Sequence, residues 1–456
     1  MATLDSAIPR VQARKRDYLK VAFAWLLVFC VVYFARPEEF IPMGAFPIAK
    51  VAGGLAIGSF GLVVMAHPNL LNFSWEMRYL MFLAFWFFLG VPFSPLWRGG
   101  AFEHSIDFAK VVPIALLIGL VANNVARLKR LIFVETASTV GCVVITLFAA
   151  HFQATENSRL AGSLNGIYGN PNDLALCIVL VFPFCAMFML TTLNIFKKML
   201  WCTAMLLLGF ALLLTYSRAG VLALLVSGCV MVWEFGLKGR RHGLLMMAGF
   251  LAVCLVVIGG PKGFVTRVAS VVAPSLDPGS ASGSWHARKA LLLLSLKETL
   301  THPIFGVGCG NFQIVEEADW HVTHNTYTQL SAEGGILALI LYVLIIRRTF
   351  INLGDAQRFS AGHPDLILIG GALRVSLAGF LAGSFFDSVA YNFFPYFLIA
   401  YSGALLQISK ARQGLGADTQ AVAPSGGTNK KLLNGMPRNQ AVLSQGTFGY
   451  GPLSGR

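Results

Sequence analysis

The chain has 456 residues, 56% of them hydrophobic and only 12% charged, with a mean hydropathy of +0.68. A water-soluble domain carries about twice that charged fraction, so a soluble core is excluded and an all-α polytopic membrane protein is indicated. The net charge of +14 gathers in short segments beside apolar runs, which is the mark of cytoplasmic loops rather than of a nucleic-acid surface.

A helix needs roughly 20 apolar residues to cross the hydrocarbon. On that basis about 12 transmembrane helices are predicted, near 19–35, 46–66, 77–95, 107–122, 128–150, 172–192, 198–215, 218–236, 242–260, 325–346, 366–386 and 391–408. Residues 1–18 form a basic N-terminal segment, 19–408 the membrane domain, and 409–456 a tail. The tail is rich in Gly, Gln, Ser and Asn, and is expected to be disordered. The first span lacks a small-x-small cleavage site, so it reads as a retained helix. Seven of the eight cysteines fall inside spans and read as packing residues; Cys309 stands alone in a loop.

Lys and Arg mark alternate loops. Residues 1–20 carry Arg10, Arg14, Lys15, Arg16 and Lys20, and basic residues recur at 127–130, 197–198, 238–241, 347–358 and after 409. The alternation predicts an even number of spans with both termini cytoplasmic. The opposite side then holds a long loop, 261–323, and a few basic residues that the topological bias does not explain, among them Arg159, Arg218 and Arg288. Binding an anion is a reason for them to be there.

In chain order, the first external motif is "NSRLAGSLNGIYGNPNDLAL", from Asn157. Asn170 or Asn172 can cap the helix that follows, with Pro171 restraining its entry. Arg159 has no place in a simple cap and turn. Next, "LLLTYSRAGVLALL" joins two apolar runs at Ser217-Arg218 with almost no loop. A guanidinium there needs water or a partner, and its planar fork suits phosphate oxygens.

The long loop contains "SWHARKALLLLSLKETLTHPIFGVGCGNF". Residues 285–301 read as a helix stopped by Pro303. The helix is too short and charged to span, and is expected to lie on the outer surface with its leucines toward the membrane. Arg288 and His302 share a face but lie about 21 Å apart along the axis, so one diphosphate cannot bridge them on a straight helix. The "GVGCG" run has no preceding strand and reads as a turn rather than a nucleotide fingerprint.

The last external motif is "HVTHNTYTQLSAEGG". His324 opens a span from the outside, Thr328 and Ser331 continue its face, and Glu333 points elsewhere. An imidazole among arginines is held neutral and can accept a proton from a hydroxyl. The three motifs "GNPND", "SRAG" and "THN" each open an inward-running helix, so three positive helix ends face the same side, where phosphate binds well. Farther on, Arg374 sits inside an apolar run, and Lys50 and Lys110 lie just inside others. Intramembrane charges leave a transporter open as a reading of another class, although no inverted repeat is present.

At these motifs the chain resembles the O-antigen ligase and O-antigen polymerase superfamily. The likeness is sharpest in "RLAGSLNGIYGNPND", "TYSRAG", "WHARKALL", "THPIFGVGCGNF" and "HNTYTQLSAEGG". The resemblance implies an enzyme of the bacterial inner membrane, working at its periplasmic face without metal or other cofactor. It implies transfer of a glycan from an undecaprenyl-diphosphate carrier to an acceptor hydroxyl, either of lipid A-core or of another glycan. Arg218 and Arg288 match the arginines that hold the diphosphate, and His324 matches the histidine that activates the acceptor. Arg159 matches the arginine before the Asn-Pro-Asn motif and is expected to help hold the carrier or glycan. Asn172, His302 and Asn325 complete the candidate substrate contacts. A polymerase that joins repeat units on the carrier, and a protein O-glycosylating enzyme, share the same motifs.

The predicted topology has a direct check. A cysteine placed at Ser282 reacts with a membrane-impermeant maleimide in intact spheroplasts. Labelling only after lysis places residue 282 inside and overturns the sidedness.

Overall fold

A computed structural model describes residues 17–39, 47–149, 159–160, 168–239, 241 and 281–422. The N-terminal sixteen residues, most of the glycine-rich loop after Arg159, the predicted span 242–260, residues 261–280 and the tail after 422 lie outside the described residues. The chain divides into two units, Met1–Gln413 and Gly414–Arg456.

Every regular element among the described residues is helical. In order they are α1 (Lys20–Ala35), α2 (Ile48–Ala66), α3 (Trp75–Gly90), α4 (Arg98–Ala109), α5 (Val111–Val121), α6 (Val125–Ala149), α7 (Pro171–Thr191), α8 (Ile195–Leu214) and α9 (Arg218–Met231). There follow α10 (Ala281–Thr301), α11 (Thr326–Phe359), α12 (Pro364–Gly383) and α13 (Phe393–Val422). A π-helical turn, Val232–Leu237, prolongs α9.

Among the described residues nine helices are long and apolar enough to cross a membrane: α2, α3, α4 with α5, α6, α7, α8, α9 with its π turn, α11 and α12. Helix α1 is apolar but shorter. Each predicted span other than 242–260 coincides with a helix, yet three helices run past the predicted limits. Helices α4 and α5 together start at Arg98 rather than at 107, and α13 continues to Val422, past residue 408. Helix α11 runs to Phe359, so Arg347, Arg348 and Arg358, expected on a loop, are helical. At 34 residues it is about 50 Å long, more than the hydrocarbon needs, and its non-helical break at Gly335 (φ 76°, ψ 178°) divides it in two.

Helices α7 and α12 are the most buried of the nine, and α7, α9 and α12 pack pairwise against one another. Small residues allow it. A Cβ on Gly220 would lie 2.6 Å from Ala175 Cβ, and one on Gly383 2.6 Å from Leu176 Cδ1. Close backbone approach of this kind is how helices associate in lipid, where apolar burial alone gives no preference. Pro183 is tolerated inside α7 because neighbouring helices cover the interrupted backbone.

At the end of the bundle away from the "GNPND", "SRAG" and "THN" motifs, ion pairs tie segments together. Arg127 meets Asp17 at 2.5 Å and Lys129 meets Asp365 at 2.8 Å. Arg374, midway along α12, is also paired. Its Nη1 lies 3.0 Å from Glu234 Oε1, in the π turn, and its Nη2 donates to the Leu353 carbonyl at 2.6 Å. Both side chains are mostly buried, at 14% and 9% exposed.

Breaking a buried pair strands a charge, at a cost of about 3–5 kcal/mol, whereas replacing both partners is far milder. Arg374→Leu is therefore expected to lower the yield and thermal midpoint of monodisperse protein in detergent. The double variant Arg374→Leu/Glu234→Leu should recover much of the loss. A double variant as unstable as the single one refutes the pairing as the reason for Arg374.

Candidate functional site at one end of the bundle

Three helix starts and one loop build the site. At the first, Asn170 caps α7. Its side chain accepts the Asn172 amide at 2.9 Å, with Pro171 at the first helical position. This leaves the Asn172 side chain free to turn sideways. Its Oδ1 accepts from Arg159 Nη2 at 2.8 Å and from Ser217 Oγ at 2.9 Å. Arg159 Nε also donates to the Thr215 carbonyl at 2.9 Å, and the Leu160 amide to the Leu214 carbonyl at 2.9 Å. Arg159 thus clips its loop to the α8–α9 corner.

That corner is as tight as the sequence suggested. Helix α8 ends at Leu214 and α9 begins at Arg218. Tyr216 takes a left-handed backbone conformation (φ 49°) to make the bend. Ser217 caps α9, its Oγ accepting the Gly220 amide at 3.1 Å. Arg218 is the first helical residue and is half-buried.

The third start carries His324 and Asn325. Asn325 is the cap of α11: its Oδ1 accepts the Tyr327 amide at 2.9 Å and the Thr328 amide at 3.1 Å, and its Nδ2 donates to the Phe385 carbonyl at 3.2 Å. A substrate contact was expected of Asn325; both polar ends of its side chain are engaged within the protein. His324, just before the cap, is half-buried and left-handed (φ 52°). Such a conformation costs a non-glycine residue of order 1–3 kcal/mol and persists only where the surroundings enforce it.

The surroundings are the loop 384–392 between α12 and α13. The Thr326 amide donates to the Ser384 carbonyl at 2.9 Å, and Thr326 Oγ1 to the Asp387 carbonyl at 2.8 Å. The Val389 amide donates to Thr326 Oγ1 at 3.0 Å, and Thr323 Oγ1 and Ser388 Oγ share a bond of 2.8 Å. The loop brings Asp387, which the sequence reading did not single out. Its Oδ1 accepts the Ser388 amide at 2.9 Å, while Oδ2 is buried with no donor among the described residues. Its carboxyl faces that of Asp173, in the first turn of α7.

Arg288 arrives on α10 and is half-buried. Burial draws its guanidinium below the ordinary arginine range, and the charge of Asp387 counters part of that. His324 is coupled to the same groups. Burial lowers its pKa first, the charge of Arg288 lowers it further, Asp387 pulls it up, and His321 adds a small lowering. The imidazole is therefore neutral, as expected from the sequence, with burial the larger cause. A small cavity lined by Asn172, Leu176, Ala219, Gly220, Ala223, Gly383 and Asp387 links this group to the Arg159–Asn172–Ser217 network.

The fold does not bring His302 to this cluster. It stands at the far end of α10, where its Nδ1 meets Thr301 Oγ1 at 3.1 Å and Glu298 Oε2 at 3.3 Å. These contacts of His302 are local ones. Helix α10 also begins earlier than predicted and divides its leucines. Leu291 and Leu294 pack inward with Phe312, Val315, Ala318 and Ala332, while Leu293, Leu296 and Leu300 stay exposed. Only the second set can meet lipid. Asp387 and Asp173 were missed because an acidic residue at a helix end has several ordinary uses. What singles them out is their approach across more than 200 residues of sequence.

Residues 203–343 match a model of the O-antigen ligase family. The matched stretch takes in Arg218, Arg288 and His324, and leaves Arg159, Asn172 and Asp387 outside it. No curated protein matches the chain. With its many membrane-length helices among the described residues the chain is a multi-pass membrane protein, and over residues 203–343 it is similar to the O-antigen ligase family.

Proposed function

We propose that this protein transfers a glycan from an undecaprenyl-diphosphate carrier to an acceptor hydroxyl at the periplasmic face of the bacterial inner membrane, in the manner of an O-antigen ligase. The observation that carries the proposal is the meeting of His324, Arg288 and Asp387 beside the Asn172–Ser217 corner from which Arg218 projects. A neutral, half-buried imidazole next to fixed positive charge is what proton removal from a hydroxyl requires, with an anion as leaving group.

In this reading the carrier diphosphate lies against Arg218 and Arg288, with Arg159 and Asn172 shaping the edge that holds the carrier or glycan. His324 takes the acceptor proton as that oxygen attacks the anomeric carbon. The bond from carbon to the diphosphate oxygen breaks, its electron pair stays on the diphosphate, and the anomeric configuration inverts. Negative charge grows where the arginines stand, and fixed cations in a site with little water stabilise it most at the transition state. Asp387 offsets the arginines and steadies the imidazolium once it has formed. Lipid A-core is the proposed acceptor. Arg374, the mid-span charge that suggested a transport pathway, has its partners in Glu234 and Leu353, which favours a structural role for it.

The test uses purified protein, a lipid-diphosphate-linked glycan, and lipid A-core or a second carrier-linked glycan as acceptor. His324→Ala should cut turnover by about 10²–10⁴-fold, the usual worth of a general base, with donor binding intact. His321→Ala should change it far less. Lost donor binding in His324→Ala would recast the residue as a carrier ligand, and unchanged turnover would leave it a helix-end residue. Transfer only to the carrier-linked glycan would make the protein a polymerase.

A pH profile tests the electrostatics. The base works when neutral, and its pKa is lowered from the ordinary 6.5, so the acid limb of kcat/KM should fall below that value. Arg288→Gln removes a lowering charge and should move the limb to higher pH. Asp387→Asn removes a raising charge and should move it lower. Movement in the reverse sense for either variant refutes the assignment of His324 as the titrating base.

A further inference from the structure

Glu333 takes no part in the chemistry above, yet it is 4% exposed and completely engaged. Its Oε2 accepts the Gly310 amide at 3.1 Å and the Tyr391 hydroxyl at 2.5 Å, and its Oε1 accepts the Phe312 amide at 3.4 Å. The donors come from two segments far apart in sequence: the turn that follows α10, and the loop 384–392.

The backbone around Glu333 does the same. In an unbroken helix the Ala332 carbonyl would accept the Ile336 amide. At the Gly335 break the partners are exchanged. The Ile336 amide donates to the Pro303 carbonyl at 2.9 Å, and the Ala332 carbonyl accepts the Val307 amide at 2.8 Å. The Glu333 carbonyl accepts the Gly308 amide at 3.1 Å, and the Gly334 carbonyl accepts Trp86 Nε1 at 2.9 Å. A Cβ at Gly335 would fall 1.9 Å from the Ile304 oxygen, so glycine is required there. Residues 332–335 form a socket, and the 303–312 turn sits in it.

This makes Thr326–Gly334 a short, separate strut. One end carries His324 and is bound to the loop of Asp387 through Thr326. The other end is the socket. Between them, Ser331 Oγ meets Thr299 Oγ1 of α10, the helix of Arg288, at 2.9 Å. The carboxylate of Glu333 is the one side chain of the strut bonded both to the chain that leaves α10 and, through Tyr391, to the loop that bears Asp387.

We propose that Glu333 is a positioning residue: its carboxylate latches the His324 strut to the segments that carry Arg288 and Asp387, and so sets the spacing of the three. The proposal rests on the catalytic reading of His324, but the latch itself can be measured without turnover. A misplacement of about 1 Å can cost on the order of 10²-fold in rate, so a loosened strut should show chiefly in kcat. Arg218 and Arg159, on other elements, still hold the donor.

The experiment compares Glu333→Ala, Glu333→Gln and Tyr391→Phe in the full-length protein. Glu333→Ala strands three donors. It should lower kcat on the order of 10²-fold with a much smaller change in donor KM, and raise the pH of the acid limb as Arg288 drifts from His324. Glu333→Gln keeps one acceptor oxygen, which in the Oε2 position still takes the Gly310 amide and the Tyr391 hydroxyl and gives up only the longer Phe312 bond, so it should rescue much of kcat and most of the limb shift. Tyr391→Phe, which leaves the amide bonds in place and frees only the loop of Asp387, should move the limb to lower pH, in the sense of Asp387→Asn, and serves where Glu333→Ala does not fold. Spin labels at the exposed positions His286 and His321 read the latch directly. Their distance distribution should broaden in Glu333→Ala and stay narrow in Glu333→Gln. Unchanged distances, or Gln as damaging as Ala, overturn the latch. An inactive wild-type protein with the expected distance changes would overturn the transferase reading and leave the latch standing.

Discussion

Where a backbone leaves a helix at the edge of the hydrocarbon, it must find its hydrogen bonds within the protein. The rest of the site depends on that constraint. The α8–α9 corner turns within three residues, and its polar groups are answered by Thr215, Ser217, Arg159 and Asn172. The start of α11 and the loop 384–392 answer each other through Thr326, Thr323 and Ser388. Each corner needed a second corner, so the sharp turns came to lie together. The side chains that ride on them, Arg218, His324 and Asp387, were carried into one place as a result.

The electrostatic character of the place follows from the same assembly. Three helix starts face one side, and arginines at 159, 218 and 288 add full charges. Set against them are Asp173 and Asp387, facing each other at the ends of α7 and α12. The site is thus not a uniform basic patch. It is a positive surface with a buried acidic floor, and His324 stands at the junction and feels both signs. Under the proposed function, such a balance suits an anionic carrier beside an imidazole that takes a proton.

Much of this was legible in the sequence, wherever the signal was local. Apolar runs gave the helices. Asn170 and Pro171 gave the start of α7, and the missing loop at Ser217-Arg218 gave the corner. The "GVGCG" run is indeed a turn, with Gly306, Gly308 and Gly310 all at positive φ. Even the separation of Arg288 from His302 followed from helix geometry. What stayed hidden had its cause elsewhere in the chain. Arg374 looked like an orphan charge because Glu234 is 140 residues away. The reach of the Asn325 amide to Phe385 was hidden because nothing local shows it. The leucines of α10 looked like one face because their inward partners, Phe312 and Val315, belong to a later turn. Glu333 was set aside for pointing away from His324, and only the tertiary structure reveals what it points toward.

The π turn at the end of α9 bears on how this protein should be compared with others. Here the Lys238 amide reaches back five residues to the Trp233 carbonyl, and the Arg241 amide five to that of Gly236. A ring one residue wider than that of an α-helix shifts the angular phase of everything after it by about 100°. Residues 218–231 therefore share one helical wheel that the turn 232–237 does not continue, and Glu234 meets Arg374 from within the turn. A sequence comparison that runs a uniform 3.6-residue repeat through 218–237 will place Glu234 on the wrong face. One that allows a single-residue gap near 232–237 will keep Glu234 aligned with Arg374.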